Sequence, residues 1–168
     1  ENRNPLAITD RDAVGYSDNR NLAIRNNLEV RYEPKWLKGL AISATGAYDF
    51  SSYRQDDLTK LLYLYDYWTD EQTGANAEAN TYAESWNTRQ TLYGRIQANF
   101  NRRFGDHNVG ATLAAEATKN TSNNIRGYRE YGDFFTHDVL DQADASTQTN
   151  SGSRSDNAKA GYVFRASY

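Results

Sequence analysis

The chain has 168 residues, net charge -3, 38% apolar and 24% charged residues, no Cys and no Met. These totals allow one domain and exclude a disulfide frame, a thiolate metal site and the basic footprint of a nucleic-acid binder. No run of about 20 apolar residues exists, so no helix spans a bilayer, but a spanning strand needs only about 9–11 residues with one apolar face. The mean hydropathy of -0.89 therefore does not bear on a β-barrel. The start, ENRNPLAITD, has neither a basic segment nor an apolar leader, and reads as a processed or excised segment.

Residues 1–20 are polar and read as loop. In 21–33, Leu22, Ile24, Leu28, Val30 and Tyr32 share one parity, and Arg25, Asn27, Glu29 and Arg31 the other. A period of two predicts a strand. Pro34 breaks it, and 39–51 alternates again: Leu40, Ile42, Ala44, Tyr48 and Phe50 against Ser43, Thr45 and Asp49. Residues 52–85 lose the pattern and read as a long loop. Within it, 57–68 is apolar on both parities and suits strand or helix alike.

Alternation returns over 86–101, with Leu92, Ile96, Ala98 and Phe100 opposite Arg95, Gln97, Asn99 and Asn101. A short turn, NRRFGDH, leads to a return strand, 107–119, with Val109, Ala111, Leu113, Ala115 and Ala117 on one face. Residues 120–155 form a second long polar loop with a helical turn expected at 138–143. The last strand, 156–168, places Ala158, Ala160, Tyr162, Phe164, Ala166 and Tyr168 together, opposite Lys159 and Arg165.

The expectation is all-β: an antiparallel up-and-down meander of about five long strands and two long loops, 52–85 and 120–155. Short turns at one end and long loops at the other are the habit of outer-membrane barrels. Structureless loops of that length are uncommon in compact soluble domains. Tyr32, Trp36, Phe100 and Phe104 gather at the short-turn end and Tyr48, Phe50 and Trp86 at the other, as aromatic girdles do. The opposite face, with Arg25, Glu29, Arg31, Arg95, Gln97, Asn99, Glu116, Lys159 and Arg165, suits a wet lumen better than a dry core.

No P-loop, G-x-S-x-G, H-E-x-x-H or G-x-G-x-x-G is present, and the expectation is no enzyme and no cofactor. His107 sits in a turn and reads as turn-stabilising. Asp138, Asp141 and Asp144 recur every third residue, as a solvated helical face or, if helical, a cation clamp. The residues left for contact with a ligand or lid are loop aromatics: Tyr63, Tyr65, Tyr67, Trp68 and Tyr82 in the first loop, Tyr128, Tyr131, Phe134 and Phe135 in the second. Their rings give flat area with a polar edge for a glycan or peptide, or they pack the loops together.

Three stretches carry a resemblance. PKWLKGLAISATGAYDF, with Tyr32 just before it, carries a Tyr-x-Pro-x-x-x-x-Gly-Leu turn at the end of a strand (Tyr32, Pro34, Gly39, Leu40). NRRFGDHNVGATLAAEA holds a Phe-Gly-x-His turn (Phe104, Gly105, His107), and GYVFRASY ends the chain. In this order, over residues 28–168, they resemble the barrel of SusC-like TonB-dependent transporters, large outer-membrane importers of Bacteroidetes. The resemblance implies a slice of a transmembrane barrel of some 22 strands, in contact with outer-membrane lipid. It implies TonB as energy source through a plug domain that this chain lacks, a SusD-like surface lipoprotein as lid, and oligosaccharide or peptide as cargo. The carboxypeptidase-like domain and the energy-coupling box of the family are also missing here. A soluble β-rich binding or adhesion module, with loop aromatics as its contact surface, is the alternative.

Overall fold

The computed structural model describes residues 9–168. One helical turn, α1 (Arg11–Val14), precedes β1 (Gly15–Tyr32) and β2 (Leu40–Thr59). A small hairpin follows, β3 (Tyr63–Tyr65) and β4 (Gln72–Ala75). Then come β5 (Asn80–Phe104), β6 (His107–Tyr131), two 3-10 turns (Leu140–Gln142 and Ala145–Thr147) and β7 (Thr149–Ser167). The long strands form one antiparallel meander in the order β1-β2-β5-β6-β7, and β3 pairs with β4 alone. The all-β expectation holds. No helix among the described residues is long and apolar enough to cross a membrane.

The strands run further than the alternation reaches. β2 continues to Thr59, β5 begins at Asn80, β6 runs to Tyr131 and β7 begins at Thr149. The connections shrink to 60–79 and 132–148. Residues 15–20, read as loop, belong to β1. Residues 1–8 lie outside the described residues. The physical reason is that alternation reports a difference between the two faces of a strand, not hydrogen bonding itself. A segment such as Asn120–Asn124 is polar on both faces, yet its backbone still pairs. The ambiguous stretch 57–68 resolves as the end of β2 followed by β3, not as helix. The expected helical turn at 138–143 is the first 3-10 turn, Leu140–Gln142.

Contacts divide the chain into two units, both served by the same five strands. One comprises 22–51, 88–123 and 154–168. It has scarcely any core, Ala114 and the turn residue Pro34 being its buried apolar side chains among the described residues. On the inner strands β2 and β5 the exposure alternates. Ile42, Ala44, Gly46 and Tyr48, and Leu92, Gly94 and Ile96, are exposed; Ser43, Thr45 and Ala47, and Tyr93, Arg95 and Gln97, are half-buried. Apolar side chains thus face outward and polar ones inward, the reverse of a water-soluble sheet. Gly39 closes the β1–β2 turn at φ +94°; a Cβ there would lie 2.3 Å from the Asn101 carbonyl oxygen, so the turn demands glycine.

The other unit comprises 9–21, 52–87 and 124–153 of the described residues. It holds a compact core of Leu58, Tyr82, Tyr131 and Ala143, with Tyr16, Phe135 and Leu140 packed against it. Gly15 enters β1 at φ +95°, where a Cβ would meet the Leu58 carbonyl oxygen at 2.0 Å.

Candidate functional site

The nine aromatics singled out from sequence separate into two groups. Tyr82, Tyr131 and Phe135 turn into the core. The Tyr131 ring stacks on Phe135 at 4.4 Å and meets Tyr82 at 6.3 Å. The Tyr131 hydroxyl donates to the carbonyls of Val139 (2.7 Å) and His137 (3.2 Å), which fastens the connection 132–148 onto the sheet. Burial, then the charges of Asp56 and Glu84, push the Tyr82 phenol up to about 12. Tyr128 is partly buried beside Glu130. These rings pack protein, which is the structural role that sequence could not separate from ligand contact.

Tyr63, Tyr65, Tyr67, Trp68 and Phe134 are exposed; Trp68 and Tyr67 both retain 87% of their accessible area and Phe134 retains 98%. Four of the five sit on the β3–β4 hairpin, whose antiparallel register pairs Tyr63 with Ala75 and Leu64 with Gly74. Asp66 builds its tip. The Asp66 carboxylate accepts from the backbone N–H of Trp68 (2.8 Å) and of Thr69 (3.0 Å), and those bonds hold it below the usual carboxylate range. Tyr67 and Trp68 meet edge to face at 4.9 Å. At the base, Asn76 accepts from Leu62 N–H (2.6 Å) and donates to the Lys60 carbonyl (2.9 Å), and Asn80 accepts from Leu61 N–H (2.7 Å).

Tyr63 and Phe134 flank an open cleft of about 860 Å³ that also takes in Asp12, Lys60, Asn80 and Gln142. Its walls mix aromatic faces with side chains that donate and accept hydrogen bonds, the make-up of a site for a polyhydroxylated or amide-bearing ligand.

The unit of 22–51, 88–123 and 154–168 has several shallow cavities, two of which contrast in polarity. One of about 530 Å³ is apolar, walled by Leu28, Val30, Ile96 and Tyr162 with Ala44 and Ala160. The other, about 250 Å³, is polar and walled by Glu29, Arg31, Ser43, Thr45, Arg95 and Gln97. Along β5, Arg95 donates to Gln97, Gln97 donates to Asn99 (2.9 Å), and Asn99 also accepts from Thr112 (3.0 Å). The Tyr93 hydroxyl donates to Glu116 at 3.2 Å. A chain of polar side chains this continuous needs water on one side to complete its bonding.

Several residues escaped the sequence reading. Arg54 bridges Asp56 and Glu84, each at 3.0 Å, and Asp56 is buried. Tyr16 donates to Asp138 at 2.8 Å across the core. Only the i, i+2 spacing of Arg54 and Asp56 hinted at a strand-face pair; Tyr16 and Asp138, 122 positions apart, gave no local signal. Asp138 is engaged by Tyr16, and Asp144 caps the second 3-10 turn by accepting from Ser146 N–H at 2.8 Å. His107 stacks on Tyr168 at 5.5 Å and shares a hydrogen bond with its hydroxyl.

No protein-family model and no curated protein matches this chain.

Proposed function

We propose that the chain is barrel wall and extracellular loop of an outer-membrane active importer, energised by TonB, that takes up oligosaccharides or peptides. The observation that carries the reading is the inverted exposure of β2 and β5. Leu92 and Ile96 face outward, Ile96 in the company of Leu28, Val30 and Tyr162, while Arg95, Gln97 and Asn99 bond to one another on the half-buried face. In water such a sheet would expose a broad apolar face; against lipid the same face is buried and the polar face lines a wet interior.

Five strands leave β1 and β7 as open edges, and an open edge is not tolerated in lipid. The wall is therefore completed by further strands. The resemblance to SusC-like transporters supplies the class of importer and its partners, a SusD-like lipoprotein and TonB. The strand extensions and the two connections present their aromatics on the extracellular side, where cargo or lid is met.

The test is a pair of neighbouring substitutions in the full-length protein, Ile96→Lys and Gln97→Lys. Lysine on the lipid face near the midplane costs about 2–4 kcal/mol, and in the lumen almost nothing. The expected result is that Ile96→Lys lowers folded protein in the outer membrane and energised uptake together, while Gln97→Lys preserves both. Equal tolerance of the two would favour the soluble binding module, whose one point of support is the core around Leu58 and Tyr131.

A further inference from the structure

We infer that the β3–β4 hairpin is a docking element for a protein partner whose surface offers an apolar pocket rimmed by basic side chains.

Three observations converge. First, the apolar content of the tip has no partner in this chain. Tyr67 and Trp68 touch each other and otherwise stand in solvent, and Tyr63 and Tyr65 are more than half as exposed as in an extended chain or close to it. Trp and Tyr are the residues that dominate protein–protein anchors, because they bury large area for few rotors. Second, the tip is built in advance. Asp66 holds the turn through two backbone N–H groups and the Thr69 hydroxyl, the Asp66 N–H donates to the Glu71 carbonyl at 2.8 Å, and Asn76 and Asn80 clamp the base. A preformed tip loses little conformational freedom on binding.

Third, the charge is one-sided. From Leu61 to Thr88 the sequence has no Lys or Arg, yet carries Asp66, Asp70, Glu71 and Glu78. None of these four is in an ion pair among the described residues; Glu84, further on, is paired with Arg54. Asp70 and Glu71, exposed beside the aromatic knob and unpaired among the described residues, repel other acidic surfaces and steer the knob to a basic one. A neutral glycan gains nothing from that charge, and a second copy of this hairpin would be repelled by it.

The experiment places a photo-crosslinking amino acid at the exposed Gln72 of the full-length protein in its native cells, which leaves the knob and its acids intact. The expected result is one protein adduct, attached at a peptide that carries apolar residues flanked by Lys or Arg. Asp70→Asn with Glu71→Lys changes the tip by three charges, and Asn suits the left-handed backbone of Asp70 (φ 54°). This pair should lower the adduct about tenfold, as should high salt. Trp68→Ser should abolish the adduct and Trp68→Phe should retain much of it. A glycan adduct alone, an adduct to a second copy, no adduct, or an adduct indifferent to the charge change would each overturn the inference. Loss of uptake with the adduct intact would bear on the importer reading alone.

Discussion

Residues 88–100 and 124–143 show two opposite ways of placing apolar side chains. In the first, Leu92 and Ile96 of β5 point outward and the polar neighbours Arg95 and Gln97 are half-buried. In the second, Tyr131, Phe135, Leu140 and Ala143 turn toward one another, joined by Leu58 and Tyr82. The strands β5 and β6 contribute to both. Strand formation alone therefore does not decide where apolar groups go; the surroundings of each stretch do. A segment with its own covering connection can behave as a small aqueous core, and a segment with no cover needs an apolar solvent.

That contrast can be broken most forcefully at Tyr131. Replacement by Ala removes a buried ring and two hydrogen bonds, an expected loss of about 3–5 kcal/mol in the unit that contains it. Amide exchange should speed up across 132–148 while protection at 92–98 stays unchanged. Matched losses in both stretches would mean that the two units do not unfold separately. The Tyr16→Phe change is milder. It removes the bond to Asp138 and should cost about 1 kcal/mol, read as a lower denaturation midpoint of the same unit.

A pH titration sharpens the contrast from another side. Tyr82 has its folded pKa raised from 10 to about 12. Because it is raised, the neutral phenol is the form that the fold favours. Its contribution is fully present below pH 10 and is lost as pH rises through about 12. Burial also raises Tyr16, Tyr128 and Tyr131, so tyrosinate absorbance should show several late-titrating groups. Of these, Tyr82→Phe removes the one near 12, and the core should loosen over the same interval. Asp66 has the opposite sign. Its pKa is lowered by the Trp68 and Thr69 N–H groups, so the turn is supported above the ordinary carboxylate range and weakens as pH falls through the lowered value. Trp68 fluorescence follows that step, the smallest of these effects.

Much of the architecture was legible from the residues. Period-two runs at 86–101 and 107–119 lie inside observed strands, and those at 21–33, 39–51 and 156–168 overrun theirs by one residue each. Pro34 with Gly39 and Gly105 with His107 marked both tight turns. Alternation failed where both faces are polar, and so it cut β2, β5, β6 and β7 short. The loop aromatics were visible as a group, but composition could not divide Tyr82, Tyr131 and Phe135 from Tyr67, Trp68 and Phe134. That division depends on contacts between positions far apart, such as Tyr16 with Asp138 and Leu58 with Tyr131.

By itself, then, the order of residues determined strands, turns and the opposition of an apolar to a polar stripe, because pleating ties neighbouring side chains to opposite faces. Only the tertiary structure decided which stripe is exposed and which rings are free. Exposure is a property of what packs against a face, and for this chain that information comes from segments tens of residues away.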